Sequence, residues 1–160
     1  MTYLGINETY GKNTQTLITV NTAVQNTSNT AGVYTVINGS EITYTPEANT
    51  SKVIYEIGLY AEAINKTCFQ HIALEHNVSG WTQISTKFGR NFGGNNSQYF
   101  RDYLYFRYII PSWSGSRQLR LQSGSHINNY SVSYHQITDW DGTGSVTDRF
   151  CNTSLLVYSV

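Results

Sequence analysis

The stretch "ITYTPEANTSKVIYEIGLYAEA", Ile42 to Ala63, decides how the chain is to be read. It holds two runs that alternate like strands, broken once by Pro46 and a short polar turn. In the longer run Val53, Tyr55, Ile57, Leu59 and Ala61 fall on one face, because strand side chains repeat with period two. Ile54, Glu56, Gly58, Tyr60 and Glu62 fall on the other. One face is uniformly apolar and the other mixed, the pattern of a half-buried strand in an antiparallel sheet. Proline offers a ladder no donor, so the first run ends at Pro46 or lies at a sheet edge.

The composition agrees with a β protein. Charged residues make up 12% of the chain, half the usual share of about 25%. Mean hydropathy is nevertheless -0.35, so the polarity comes from uncharged groups. There are 19 Thr, 16 Ser and 15 Asn beside 13 Tyr, residues suited to pleated surfaces and turns and ill suited to helices. At 160 residues one domain is expected, large enough to fold without a metal or a disulfide. Net charge is zero, which argues against nucleic acid as a partner. No apolar run nears the length that inserts in a membrane, and the first residues lack a secretory pattern. The nine Asn-x-Ser/Thr matches follow from the composition, and Cys68 and Cys151 read as ordinary small hydrophobes before they read as a pair.

Outward from Ile42 the same alternation recurs. Residues 1 to 14 read as a flexible lead-in and 15 to 160 as one domain. "VYTVI" and "EITYT" flank Asn38-Gly39, which predicts a hairpin. "KFGRNFGGNNSQ", 87 to 98, reads as a long loop, and "YSVSYHQITDW", 130 to 140, as one strand. Eight to ten short strands at near-regular spacing predict an all-β, antiparallel sandwich or jelly roll.

Two strands are apolar on both faces. In "DYLYFRYII", Tyr103, Tyr105 and Ile109 oppose Leu104, Phe106, Tyr108 and Ile110. In "SLLVYSV", Leu155 and Val157 oppose Leu156, Tyr158 and Val160. In so small a domain the second apolar face is expected in a subunit interface, with Tyr103, Tyr105, Leu156 and Tyr158 as its candidates. The plainer alternative is that scattered tyrosines are ordinary on a β surface.

Few residues suggest chemistry. His71 and Glu75 share a strand face with His76 opposite, but no His-x-His pair is present, so no metal site is expected. His135 stands four residues before Asp139 without a nucleophile motif. Asp139 and Asp141 flank Trp140 and admit a glycan-processing reading, since two carboxylates at suitable spacing cleave glycosidic bonds. The same "DWDGTG" is also what a tight turn looks like. An enzyme is therefore not expected, and no cofactor motif is found. Trp81, Tyr99, Trp113 and Trp140 sit at or beside turns, where rings among Asn, Asp and Ser recognise glycans; with Asp139 and Asp141 they are the candidate binding residues.

The opening stretch resembles the Ile-Thr-Pro, four-residue gap, Ser-Lys, apolar-strand signature of tail-fibre and other virion-associated proteins of tailed bacteriophages. The ending "NTSLLVYSV" is similar too. The resemblance extends over residues 15 to 160, and it departs from the signature in stretching Ile-Thr-Pro to Ile42-Thr43-Tyr44-Thr45-Pro46. Family members usually stand at the end of much longer fibre proteins. What the resemblance implies is a jelly roll of the C1q/tumour-necrosis-factor type, a homotrimer, other virion subunits as partners, and a place in the virion. The implied role is a tail-fibre or spike-tip module that contacts a glycan or receptor on the host surface; a capsid-decorating protein is the alternative. It implies no catalytic residues.

Overall fold

The structure, a computed structural model, describes residues 12–21, 24–64, 68–92, 99–140 and 146–160. Those residues are all-β, with no helix among them. Fourteen strand segments follow in chain order. They are β1 (Lys12–Thr19), β2 (Gln25–Asn26), β3 (Tyr34–Val36), β4 (Ile42–Tyr44), β5 (Lys52–Ile64), β6 (Cys68–Asn77) and β7 (Trp81–Gln83). After them come β8 (Phe88–Phe92), β9 (Tyr99–Pro111), β10 (Arg117–Ser125), β11 (Ser133–Tyr134), β12 (Gln136–Trp140), β13 (Val146–Phe150) and β14 (Thr153–Ser159).

Twelve of these segments fill eight positions in two antiparallel sheets. In the first sheet β5 is central, with β9 along one side from Lys52–Pro111 to Ile64–Tyr99. Its other side is shared by β14 and β11, and these pair outward with β1 and β2. In the second sheet β10 and β6 pair at the centre; β3 and β4 share one edge, β7 and β8 the other. Read along the chain, each position crosses to the other sheet except from β6 to the β7–β8 edge, which pairs with it in the second sheet, and this is jelly-roll topology. The remaining segments, β12 and β13, pair as a ribbon.

The core lies between the sheets and follows the alternation. Val53, Tyr55, Ile57, Leu59 and Ala61 of β5 are fully buried, against Ile72 and Leu74 of β6 and Leu119 and Leu121 of β10. Burying each large aliphatic side chain contributes about 1.5–3 kcal/mol. Several polar groups inside pair with one another, as burial requires. The Tyr134 hydroxyl donates to Ser123 Oγ at 2.8 Å, and Ser123 donates to Gln70 Oε1 at 3.0 Å.

Four local expectations differ from what the structure shows. Asn38-Gly39 does form a tight turn, with Gly39 at φ +74°, but β3 and β4 do not pair as a hairpin. Both lie end to end against β10, and Ser40 fills the gap: the Leu121 amide donates to Ser40 Oγ at 3.1 Å, and Ser40 Oγ donates to Ile37 O at 2.5 Å. Turn propensity lost to the longer ladder that β10 offers both segments. Phe88–Phe92 is a strand and not part of a loop, because it finds the free edge of β6. The strand expected over 130 to 140 breaks at His135, whose φ is +70°. There the chain leaves the first sheet for the β12–β13 ribbon, and it returns at Cys151, whose amide donates to His135 O at 2.7 Å. The first strand also begins at Lys12, inside the expected lead-in.

Candidate functional site

The two sheets present unlike outer faces. On the first sheet, the side of β9 turned from the core exposes Tyr103 (54%), Tyr105 (58%) and Ile109 (56%). The opposite parity, Leu104, Phe106 and Ile110, is buried, so the doubly apolar pattern separates into one core face and one open face. Tyr60 of β5 and Leu156 and Tyr158 of β14 share the open face and are half-buried by their neighbours. Ile18 of β1 extends it at 63% exposure. All four interface candidates, Tyr103, Tyr105, Leu156 and Tyr158, thus lie together on this face. Ile109, on the same strand face as two of them, joins them, as do Tyr60 and Ile18.

Glu56 holds the middle of that face. Arg107 lies directly across the β5–β9 pair, with its Nε 2.9 Å from Glu56 Oε1. The Tyr158 hydroxyl, itself accepting from Arg107 Nη2 at 3.3 Å, donates to the same carboxylate oxygen at 3.3 Å. Desolvation, then hydrogen bonding and repulsion from Glu56, push the Tyr105 hydroxyl up to about 12. Tyr158 is raised by desolvation and by the same carboxylate. Both hydroxyls are therefore protonated donors throughout the neutral range. The face is flat as well as aromatic: Gly58, with no side chain, lets Tyr103 lie across β5 to within 3.4 Å of Ser154 Oγ.

The outer face of the second sheet is polar. Gln118 Oε1 accepts from Asn77 Nδ2 at 3.0 Å, and Arg120 Nε lies 2.9 Å from Glu75 Oε2. Trp81 is here, half-buried, and its ring carries the Arg120 guanidinium at 3.6 Å. That guanidinium covers one face of the ring, a contact that only the cross-strand register makes.

Trp113 lies elsewhere, at the end of the sandwich between the sheets. It packs edge-on to Tyr44, with centroids 6.2 Å apart, and Arg117 stands 5.1 Å over its ring. It walls off two grooves, of about 310 Å³ and about 440 Å³. Tyr99 opens β9, and Asp139 and Trp140 close β12; their side chains, like the whole of Asp141, lie outside the described residues. His135 is buried, with Nδ1 3.1 Å from Thr153 Oγ1 and Nε2 3.3 Å from Gln25 Oε1, an arrangement that joins strands. Among the described residues no three His, Cys, Asp or Glu side chains gather as metal ligands. Cys151 is a free thiol; the side chain of Cys68 lies outside the described residues.

No protein-family model matches the sequence, and no curated protein is significantly similar to it. Solved structures superpose on it to different extents. A chain in the structure of infectious bursal disease virus, Gt strain, superposes with a TM-score of 0.54 at 8% identity, over 93% of this chain and 34% of that one. A chain of the Gx strain gives 0.46 at 9% identity, over 93% and 38%. The enzymatically active domain of tailspike protein 4 of bacteriophage CBA120 gives 0.32 at 12% identity, over 77% and 18%. The chain spans about a third of the first of these, and that likeness shows the fold, an antiparallel β sandwich.

Proposed function

We propose that this chain is a non-enzymatic structural module of a virus particle, a C1q/TNF-like jelly roll that assembles as a homotrimer through the outer face of its first sheet. The observation that carries the proposal is the open face holding Tyr103, Tyr105 and Ile109, set against a polar outer face on the second sheet. Contiguous exposed apolar surface marks association sites, and tyrosine is enriched in the cores of interfaces. The fold shared with a chain of a virus structure supports the location, as does the resemblance to phage tail-fibre proteins. In this reading the loops at the end of the sandwich meet a glycan or receptor on the host surface, and other virion subunits hold the module in place.

Sedimentation equilibrium at low micromolar concentration tests the proposal. A mass near three times 18.0 kDa is expected. A stable monomer across the accessible concentration range would overturn the assembly, and with it the functional reading built on it.

A further inference from the structure

Three arginines follow one rule. Arg101, Arg107 and Arg120 lie on outward faces, each paired across strands with a glutamate: Arg101 Nε to Glu62 Oε2 at 3.1 Å, Arg107 to Glu56 at 2.9 Å, Arg120 to Glu75 at 2.9 Å. Arg117 breaks it. It has the parity of Leu119 and Leu121, so it starts on the core side of β10, and it has no carboxylate partner among the described residues. Instead it stands over the Trp113 ring, with its Nη1 3.3 Å from His76 Nδ1. A guanidinium only donates, so His76 Nδ1 accepts and the imidazole is neutral. Burial, and then the arginine, lower the His76 pKa and hold it so.

A half-buried cation without a counter-ion is costly, and it stands here at the mouth of a groove. Ile84, Ile110, Pro111 and Trp113 make that groove largely apolar, and at about 310 Å³ it is near the lower size of small-ligand sites. A second orphan adjoins it: Trp113 Nε1 is buried with no hydrogen-bond partner. Trp113 also lines a more polar companion groove, together with Glu47, Asn49, Thr50 and Ser112; Thr50 Oγ1 and Ser112 Oγ lie 3.1 Å apart. Arg117 calls for an anion in one groove, and Thr50 and Ser112 offer hydroxyl partners in the other.

We propose that this end of the sandwich is a binding site for an acidic sugar, with the carboxylate on Arg117, the ring against Trp113, and hydroxyls toward Thr50 and Ser112. The inference deepens the host-contact part of the functional reading, and it does not involve the tyrosine face. The test follows the three tryptophan indole N–H resonances of the 15N-labelled protein during titration with glucuronic acid, N-acetylneuraminic acid and, as an uncharged control, glucose. The Trp113 resonance, assigned with Trp113→Phe, is expected to move saturably with at least one acid and not with glucose. Arg117→Gln is expected to weaken that binding at least tenfold and Arg117→Lys to restore much of it, while Arg120→Gln on the other face changes nothing. Each variant is first shown to be folded by its thermal transition. No saturable movement with either acid, or equal binding by Arg117→Gln, would overturn the site. Because the readout uses free sugars, that failure is separate from failure of the host-contact reading, which is scored by binding to cells.

Discussion

Tyr103 lies flat over Gly58: a β-carbon built on the glycine would stand 1.9 Å from the tyrosine hydroxyl. The two residues are diagonal neighbours, since Gly58 pairs with Tyr105 and Tyr103 with Tyr60. A glycine inside a central strand weakens it unless a neighbour uses the gap, and here a ring fills the gap and reaches toward Ser154 of the next strand. Gly58→Ala should swing Tyr103 outward at little cost to folding, because the displaced group is the far end of an exposed side chain. The melting temperature should stay nearly unchanged while self-association weakens about tenfold, some 1.4 kcal/mol. Unaltered association measured by sedimentation would show that the flatness of the face is irrelevant.

Ile109→Glu offers a cleaner assault on the same face. Ile109 is more than half exposed and opposes Ile54 across the β5–β9 pair, so a charge there remains in water when the chain is alone. Folding stability should change by no more than about 0.5 kcal/mol in urea titration. The native mass should fall toward that of a single chain, since burying an unpaired carboxylate in an interface is strongly unfavourable.

Ser40 stands in for a missing ladder bond between β3 and β4. Ser40→Ala leaves the buried Leu121 amide without its acceptor and should cost about 1–3 kcal/mol, read as a lower urea midpoint with an unchanged slope. A shift below the error of the titration would mean that the backbone closes up and repairs the ladder.

His135 makes stability depend on pH. Burial lowers its pKa to about 4, below the unfolded value of about 6.5. The unfolded chain therefore takes up the proton first as the solution is acidified. The contribution is complete above about pH 6.5 and is lost as the pH falls from there toward 4, by at most about 3 kcal/mol. Melting curves at pH 7 and pH 5 should differ accordingly. Asparagine tolerates the positive φ, so His135→Asn should fold and show a shallower slope in that window.

The strands were largely legible from residue order, and so was the existence of a second apolar surface. The alternation at Val53 to Ala63 and the two-sided apolar run at Tyr103 to Ile110 are properties of ten or so consecutive residues, visible without knowing what they touch. The composition of the candidate surfaces was harder to see. Glu56 with Arg107, and Glu75 with Arg120, are some 50 residues apart and became pairs only through register. Trp81 and Trp113 looked alike beside their turns, yet one is covered by a paired arginine and the other meets an unpaired one.

What the sequence determined by itself is local: an antiparallel β chain, a break in alternation at Pro46, and a long strand with one clean apolar side. The tertiary structure decided the partners. It laid β3 and β4 end to end on β10 against the hairpin that Asn38-Gly39 favours, gave Phe88–Phe92 to the edge of β6, and broke the last strand position at His135 to admit a ribbon. The physical reason is that a side-chain pattern selects which face of a strand is buried, whereas pairing depends on closing long loops and on filling one shared core, and these involve residues that no short window contains.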